Sequence, residues 1–172
     1  MINIRHVLVP TDFSAASETA LTYGRALASR FDAQLHVVTV VENFFRIVGV
    51  EGYFIDAGGH NHRDSESLAR ALLEAAAGGP EQGRSRTRAI LLKSNTPGLA
   101  VVDYARQHAI DLIIIGSHGH TGLAHRLMGG VAEEIVRLSP CPVLTVKPGE
   151  HEFLAADVET QAAATSAVSR HS

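Results

Sequence analysis

At 172 residues the chain is one domain by length, with room for a sizeable core. It is 45% hydrophobic and 19% charged, and its net charge of -3 with no long basic run gives no reason to expect a nucleic-acid partner. The single cysteine, Cys141, excludes an internal disulfide, and no secretory-type start or apolar run near about 18 residues is present, so a cytoplasmic protein without a membrane partner is expected.

His6-Val7-Leu8-Val9-Pro10 is a short apolar run closed by proline, the first strand. A helix follows over 14–31, with Phe13, Ala16, Ala20, Gly24, Leu27 and Phe31 on one face, Ser14 as N-cap and Glu18 near the first turn. Residues 34–41 form a second strand, where Val37, Val38, Val40 and Val41 supply the density of a strand buried on both faces. Residues 43–61 have no clean period. Residues 63–77 read as a helix burying Leu68, Ala71, Leu72 and Ala75, stopped by Gly78-Gly79-Pro80. A third strand covers 87–92.

Thr96 is placed as an N-cap with Pro97 at the first helical position, opening a helix to about His108 that buries Val101, Val102 and Ala105. The fourth strand is 111–116. A helix over 131–138 turns Val131, Ala132, Ile135 and Leu138 inward and ends before Pro140; residues 142–147 are a fifth strand. The remainder, 149–172, is rich in Ala, Ser and Thr, and Leu154 and Val158 are too few anchors to dock it. The expected organisation is one domain over 1–148 and a flexible tail over 149–172, without internal repeat.

Strands alternating with helices imply right-handed crossovers, hence an α/β fold: a doubly wound five-stranded parallel sheet with helices on both faces. Ligands of such sheets sit outside the carboxyl ends of the strands, where the strand order reverses. Two segments lie at strand ends with suitable chemistry, Pro10-Thr11-Asp12 and the run from Gly116 to Val131.

That run, GSHGHTGLAHRLMGGV, follows Leu112-Ile113-Ile114-Ile115 directly and leads into a helix. Glycines let backbone approach an anion, and free amides at a helix start point at it. Its spacing, Gly116-x2-Gly119-x9-Gly129 followed by Gly130, is neither G-x-x-x-x-G-K-[ST] nor G-x-G-x-x-G. It resembles the nucleotide-binding signature of the universal stress protein family, G-x2-G-x9-G-[ST], with Gly130 in place of the final Ser/Thr. VPTDFS near the start and SPCPVLTV near the end extend the resemblance over roughly residues 3 to 148.

The resemblance implies a strand order 3-2-1-4-5 and an adenine nucleotide, ATP or AMP/ADP, with Mg if ATP. It places that ligand against Pro10, Thr11, Asp12 and Val40 on one side. On the other it places Ile115, Gly116, Ser117, Gly119, His120, Gly129, Gly130 and Val131. It also implies a homodimer paired through the edge strand at 141–147. The function so implied is a dimeric regulatory module in stress adaptation that acts by binding and not as an enzyme, with an unidentified protein partner left open.

Several of these residues carry a plainer reading beside the functional one. Asp12 can accept from a ribose hydroxyl or simply close the turn before the helix, and Val40 can line adenine or be strand core. Gly130-Val131-Ala132-Glu133 has capping-box spacing with glycine as N-cap. Glycine there leaves the helix intact but removes a hydroxyl whose bond to phosphate contributes about 1.5–3 kcal/mol. ATP affinity should fall about tenfold for that reason.

His118, His120 and His125, with His60 and His62, raise a metal site, but no Cys or carboxylate stands at ligand spacing. Phosphate contact by His120 or Arg126, or plain surface polarity, are the readings kept. Phe44, Phe45, Tyr53 and Phe54 crowd the aperiodic 43–61 segment, which could be a lid, a partner surface or a loop packed on its own domain. Cys141 between prolines reads as a small buried residue.

The rivals are a nucleotide-consuming enzyme, a partner-binding module that does not take ATP, and a receiver-like domain. No S-G-G-x-D-S, H-x-G-H or lysine-bearing phosphate loop is present, and Asp12 lacks the acidic neighbours of a receiver. Slow ATP hydrolysis remains open, with no general base identified.

Overall fold

The computed structural model describes residues 2–41, 61–78, 86–117 and 130–148. Its elements are β1 (His6–Pro10), α1 (Ala15–Phe31), β2 (Gln34–Val41), α2 (Asn61–Ala77), β3 (Thr87–Lys93), α3 (Pro97–Gln107), β4 (Leu112–Gly116), α4 (Gly130–Leu138) and β5 (Val143–Val146). The strands form one parallel sheet in the order β3-β2-β1-β4-β5, the doubly wound arrangement expected.

Strand side chains alternate between faces, so the apolar runs divide cleanly. Val7 and Val9 of β1, Leu35 and Val37 of β2 and Ile114 of β4 pack with Ala20 and Leu21 of α1 and Leu73 of α2. Leu8, Val38, Ile113 and Ile115 pack on the opposite face with α3, through Val101, Val102 and Ala105, and with Ala132 and Ile135 of α4. One helix pair thus covers each face.

α1 starts where its cap chemistry requires: Ser14 is the N-cap and accepts from the Ser17 amide. Both α1 and α3 end in a reverse turn with a left-handed residue. After α3, Ala109 has φ 48°, its amide donates to Arg106 O, and the Ile110 amide donates to Ala105 O. This is a Schellman closure with alanine where glycine is usual.

Two local expectations are corrected. α2 does not bury Leu68 and Leu72, which are 60% and 42% exposed, and Ala71 and Ala75 are exposed too. The inward face is Ala69, Leu73 and Ala76, with Leu73 2% exposed. The adjacent Leu72 and Leu73 fit either stripe. The ion pair from Lys93 on β3 to Glu66 goes with the face that buries Leu73. Val131 is 41% exposed, because α4 sets only Ala132 and Ile135 fully against the sheet. Thr96 stands at the N-cap of α3 but its side chain makes no cap bond; its Oγ1 lies 3.2 Å from Ser94 Oγ. The tail at 149–172 and most of the aromatic 43–61 segment lie outside the described residues.

Candidate functional site

The two central strands part at their carboxyl ends. β1 and β4 pair through Val7–Leu112 and Leu8–Ile113, whereas β1 continues along β2 to Pro10–Val38 and β4 along β5 to Gly116–Val146. One residue further, the Thr11 amide donates to Val38 O and the Ser117 amide to Val146 O, both at 2.8 Å. Each strand end follows its outer neighbour, which opens a crevice at the point where the strand order reverses.

The first turn of α1 is wedged beside that crevice by a polar relay. Asp12 Oδ1 accepts from the Ser14 amide at 3.1 Å and from Ser14 Oγ at 2.6 Å. Thr11 Oγ1 accepts from the Phe13 amide at 3.0 Å and donates to Ser17 Oγ at 3.1 Å; Ser17 Oγ donates to Ser14 O at 2.9 Å. Thr11 and Ser17 are both buried. Between them Phe13 is held at φ 61°, a left-handed conformation costing an aromatic residue about 1–2 kcal/mol. Over-determined strain of this kind collects at ligand-holding segments.

Across the crevice, Gly116 meets the same helix. A Cβ there would stand 2.7 Å from the Ala16 carbonyl oxygen, so the missing side chain is what lets β4 reach α1. Gly130 is different: a Cβ there would meet none of the described residues within 4 Å, and the residue is exposed. It is the first helical residue of α4, one place later than the N-cap expected of it.

The predicted residues therefore divide. Pro10, Thr11, Asp12, Gly116 and Ser117 stand together at the carboxyl ends of β1 and β4. Gly130 and the exposed Val131 open α4. Val40 and Ile115 turn into the core cluster containing Leu8 and Val38, so each serves as strand packing. Asp12 serves as the turn acceptor before the helix through Oδ1. Gly119, His120 and Gly129 lie outside the described residues, as do His60, His118, His125 and Arg126. Among the described residues no group of three or more His, Cys, Asp or Glu is arranged to hold a metal ion.

Ser17 and the strained Phe13 were not identified from the sequence. The only available signal was a second hydroxyl three residues after the N-cap, a position that usually faces solvent. At the far edge, Cys141 is half-buried and burial pushes its thiol up, consistent with a packing residue.

The sheet defines an α/β domain of the doubly wound class whose two central strands diverge at its topological switch point. The profile of the universal stress protein family matches residues 3–147, and the chain belongs to that family. It is 30% identical over 149 residues to universal stress protein MJ0531 of Methanocaldococcus jannaschii, covering 86% of this chain and 85% of that one. The solved structure of MJ0577 from the same organism has a TM-score of 0.70 at 26% identity, with 87% of this chain and 100% of that chain covered. A universal stress protein of Archaeoglobus fulgidus, solved in complex with dAMP, has a TM-score of 0.58 at 19% identity, covering 86% and 100%.

Proposed function

We propose that the protein is an adenine-nucleotide-binding regulatory module of the stress response. The observation that carries this reading is the divergence of β1 and β4 beyond Leu8 and Ile113, with the start of α1 fixed beside it. The dAMP complex of the A. fulgidus relative supports the ligand class. Pro10 and Thr11 supply one wall. Gly116 and Ser117 begin the other. Mg would accompany ATP.

The reading has the protein work by binding and not by turnover: nucleotide occupancy selects a conformation or a protein partner. It also has the chain form a cytoplasmic homodimer through β5, whose outer edge no strand among the described residues covers. A second reading, a partner-binding module that takes no nucleotide, draws on one observation. Asp12 and Thr11 already satisfy each other's neighbourhood through Ser14 and Ser17.

Calorimetric titration with ATP, ADP and AMP in the presence of magnesium separates the two. Saturable heat with at least one of them at millimolar affinity or better is expected; none with any of the three leaves the partner-binding module.

A further inference from the structure

At the opposite end of the sheet a cluster of aromatic bases ties α3 to the strands. His36, 1% exposed on β2, has its Nδ1 2.9 Å from Tyr104 Oη and its Nε2 3.4 Å from His6 Nδ1. Tyr104 stacks on His108 at 3.9 Å between ring centroids, and the His108 ring lies 6.2 Å from that of His36. One helical turn of α3 thus caps a buried imidazole. Its neighbours in the sheet close the other sides.

We propose that this cluster is an acid-operated latch, holding the last turn of α3 on the sheet while His36 is neutral and releasing it when His36 takes a proton. A neutral imidazole satisfies both contacts in either tautomer. In one, the Tyr104 hydroxyl donates to Nδ1 and Nε2–H donates to His6; in the other, every donor is reversed. A charged imidazole can still donate to Tyr104 Oη and to His6 Nδ1, but it must sit buried among groups that offer it no counter-charge.

The groups acting on His36 are His6 from β1, Arg88 from β3 and His108 from α3, all cationic or able to become so. The remaining ionisable group in contact is Tyr104, whose hydroxyl burial keeps protonated. Asp111, in the link to β4, is turned to the backbone amides of Arg5 and His6 at 2.7 and 2.9 Å. Asp103 is paired with Arg106. Burial first, then these like charges, lower the His36 pKa from 6.5 to about 4.

Two features make the helix end the part that yields. Tyr104 and His108 meet His36 from the helix end, whereas its flanking strands are held by the parallel-sheet ladder. And that turn is closed by Ala109 in a left-handed conformation, which alanine adopts at a cost. An open turn exposes an imidazole that protonates near 6.5, so the opening equilibrium rises about tenfold for each pH unit below that value, down to about 4.

The test is amide hydrogen exchange of the whole chain between pH 7.5 and 4.5, corrected for intrinsic rates. The amides of His108 and Ile110, which donate to Tyr104 O and Ala105 O, report the last turn; those inside α1 report the whole domain. The expected result is that the first pair opens at least about tenfold more often than α1, with the tenfold-per-unit slope. His36→Gln can hold both partners but cannot charge, and should flatten that slope. Ala109→Gly relieves the turn, so opening should become severalfold rarer at every pH with the slope retained. Opening that does not vary with pH, that coincides with α1 throughout, or that keeps its slope in His36→Gln overturns the latch. Should His36→Gln fail to fold, the parent and Ala109→Gly profiles decide alone.

Discussion

Gly116 packs directly on Ala16: a Cβ on the glycine would lie 2.7 Å from the alanine carbonyl oxygen, 2.8 Å from its carbon and 2.9 Å from its Cβ. This contact seats the start of α1 against the end of β4 and so fixes one side of the crevice. A carbonyl of a helix cannot rotate away as a side chain can. Gly116→Ala is therefore expected to destabilise by about 1–3 kcal/mol, the usual range for forcing a methyl into packed structure. Urea midpoints measure it. The comparison is Gly130→Ala, where the space is open and the change should stay within about 0.5 kcal/mol. Equal losses at the two positions would mean that the close approach to Ala16 is not what requires glycine at position 116.

Gly130→Ser restores the hydroxyl that the family signature carries. Among the described residues nothing stands within 4 Å of a Cβ at that position, so the helix accepts it without repacking against them. If the phosphates reach this helix start, ATP should bind about tenfold tighter, and AMP, with fewer phosphates to reach it, should gain less. Calorimetry with both nucleotides shows it. The same gain for both would place the hydroxyl away from the terminal phosphates.

Thr11 and Ser17 are the buried pair that keeps Phe13 in its strained turn. Thr11→Val removes the acceptor of the Phe13 amide and the bond that Ser17 Oγ accepts, leaving the Ser17 bond to Ser14 O in place, at a cost of about 1–3 kcal/mol. Ser17→Ala should cost less, because Thr11 keeps the Phe13 amide. A double-mutant cycle by chemical denaturation should return a coupling of about 0.5–1.5 kcal/mol, the net worth of one hydrogen bond. Additive losses would show the two hydroxyls to be independent.

The sheet was legible because parallel strands buried on both faces are written as unbroken runs such as Val7-Leu8-Val9 and Ile113-Ile114-Ile115, which no helix stripe imitates. Helix α1 was legible through Ser14 and its spaced apolar face. The α2 face was not: its buried stripe has one leucine between alanines, while its two better-spaced leucines point outward. Thr11 and Asp12 were found from position at a strand end, yet their mutual wiring through Ser14 and Ser17 depends on a left-handed Phe13, which sequence does not announce. His36 carries no local signal either. Its role comes from Tyr104 and His108, 68 and 72 residues away along the chain.

The buried state of His36 also sets how the whole domain responds to acid. Its folded pKa, about 4, lies below the unfolded value of 6.5, so between those values the unfolded chain binds a proton that the folded chain refuses. Stability from this group is present in full above about pH 6.5, falls as pH drops towards 4, and levels off once both states are protonated. The shift corresponds to about 3 kcal/mol, an order-of-magnitude figure for a group that is 1% exposed. Urea denaturation at pH 7.5, 6 and 4.5 should show the midpoint falling across that window. His36→Gln should remove the part of the fall that lies between 6.5 and 4, leaving whatever carboxylates contribute at lower pH. A parent midpoint that holds steady from 7.5 to 4.5 would mean that His36 is hydrated in the folded protein. An unchanged fall in the variant would assign the acid sensitivity to another group.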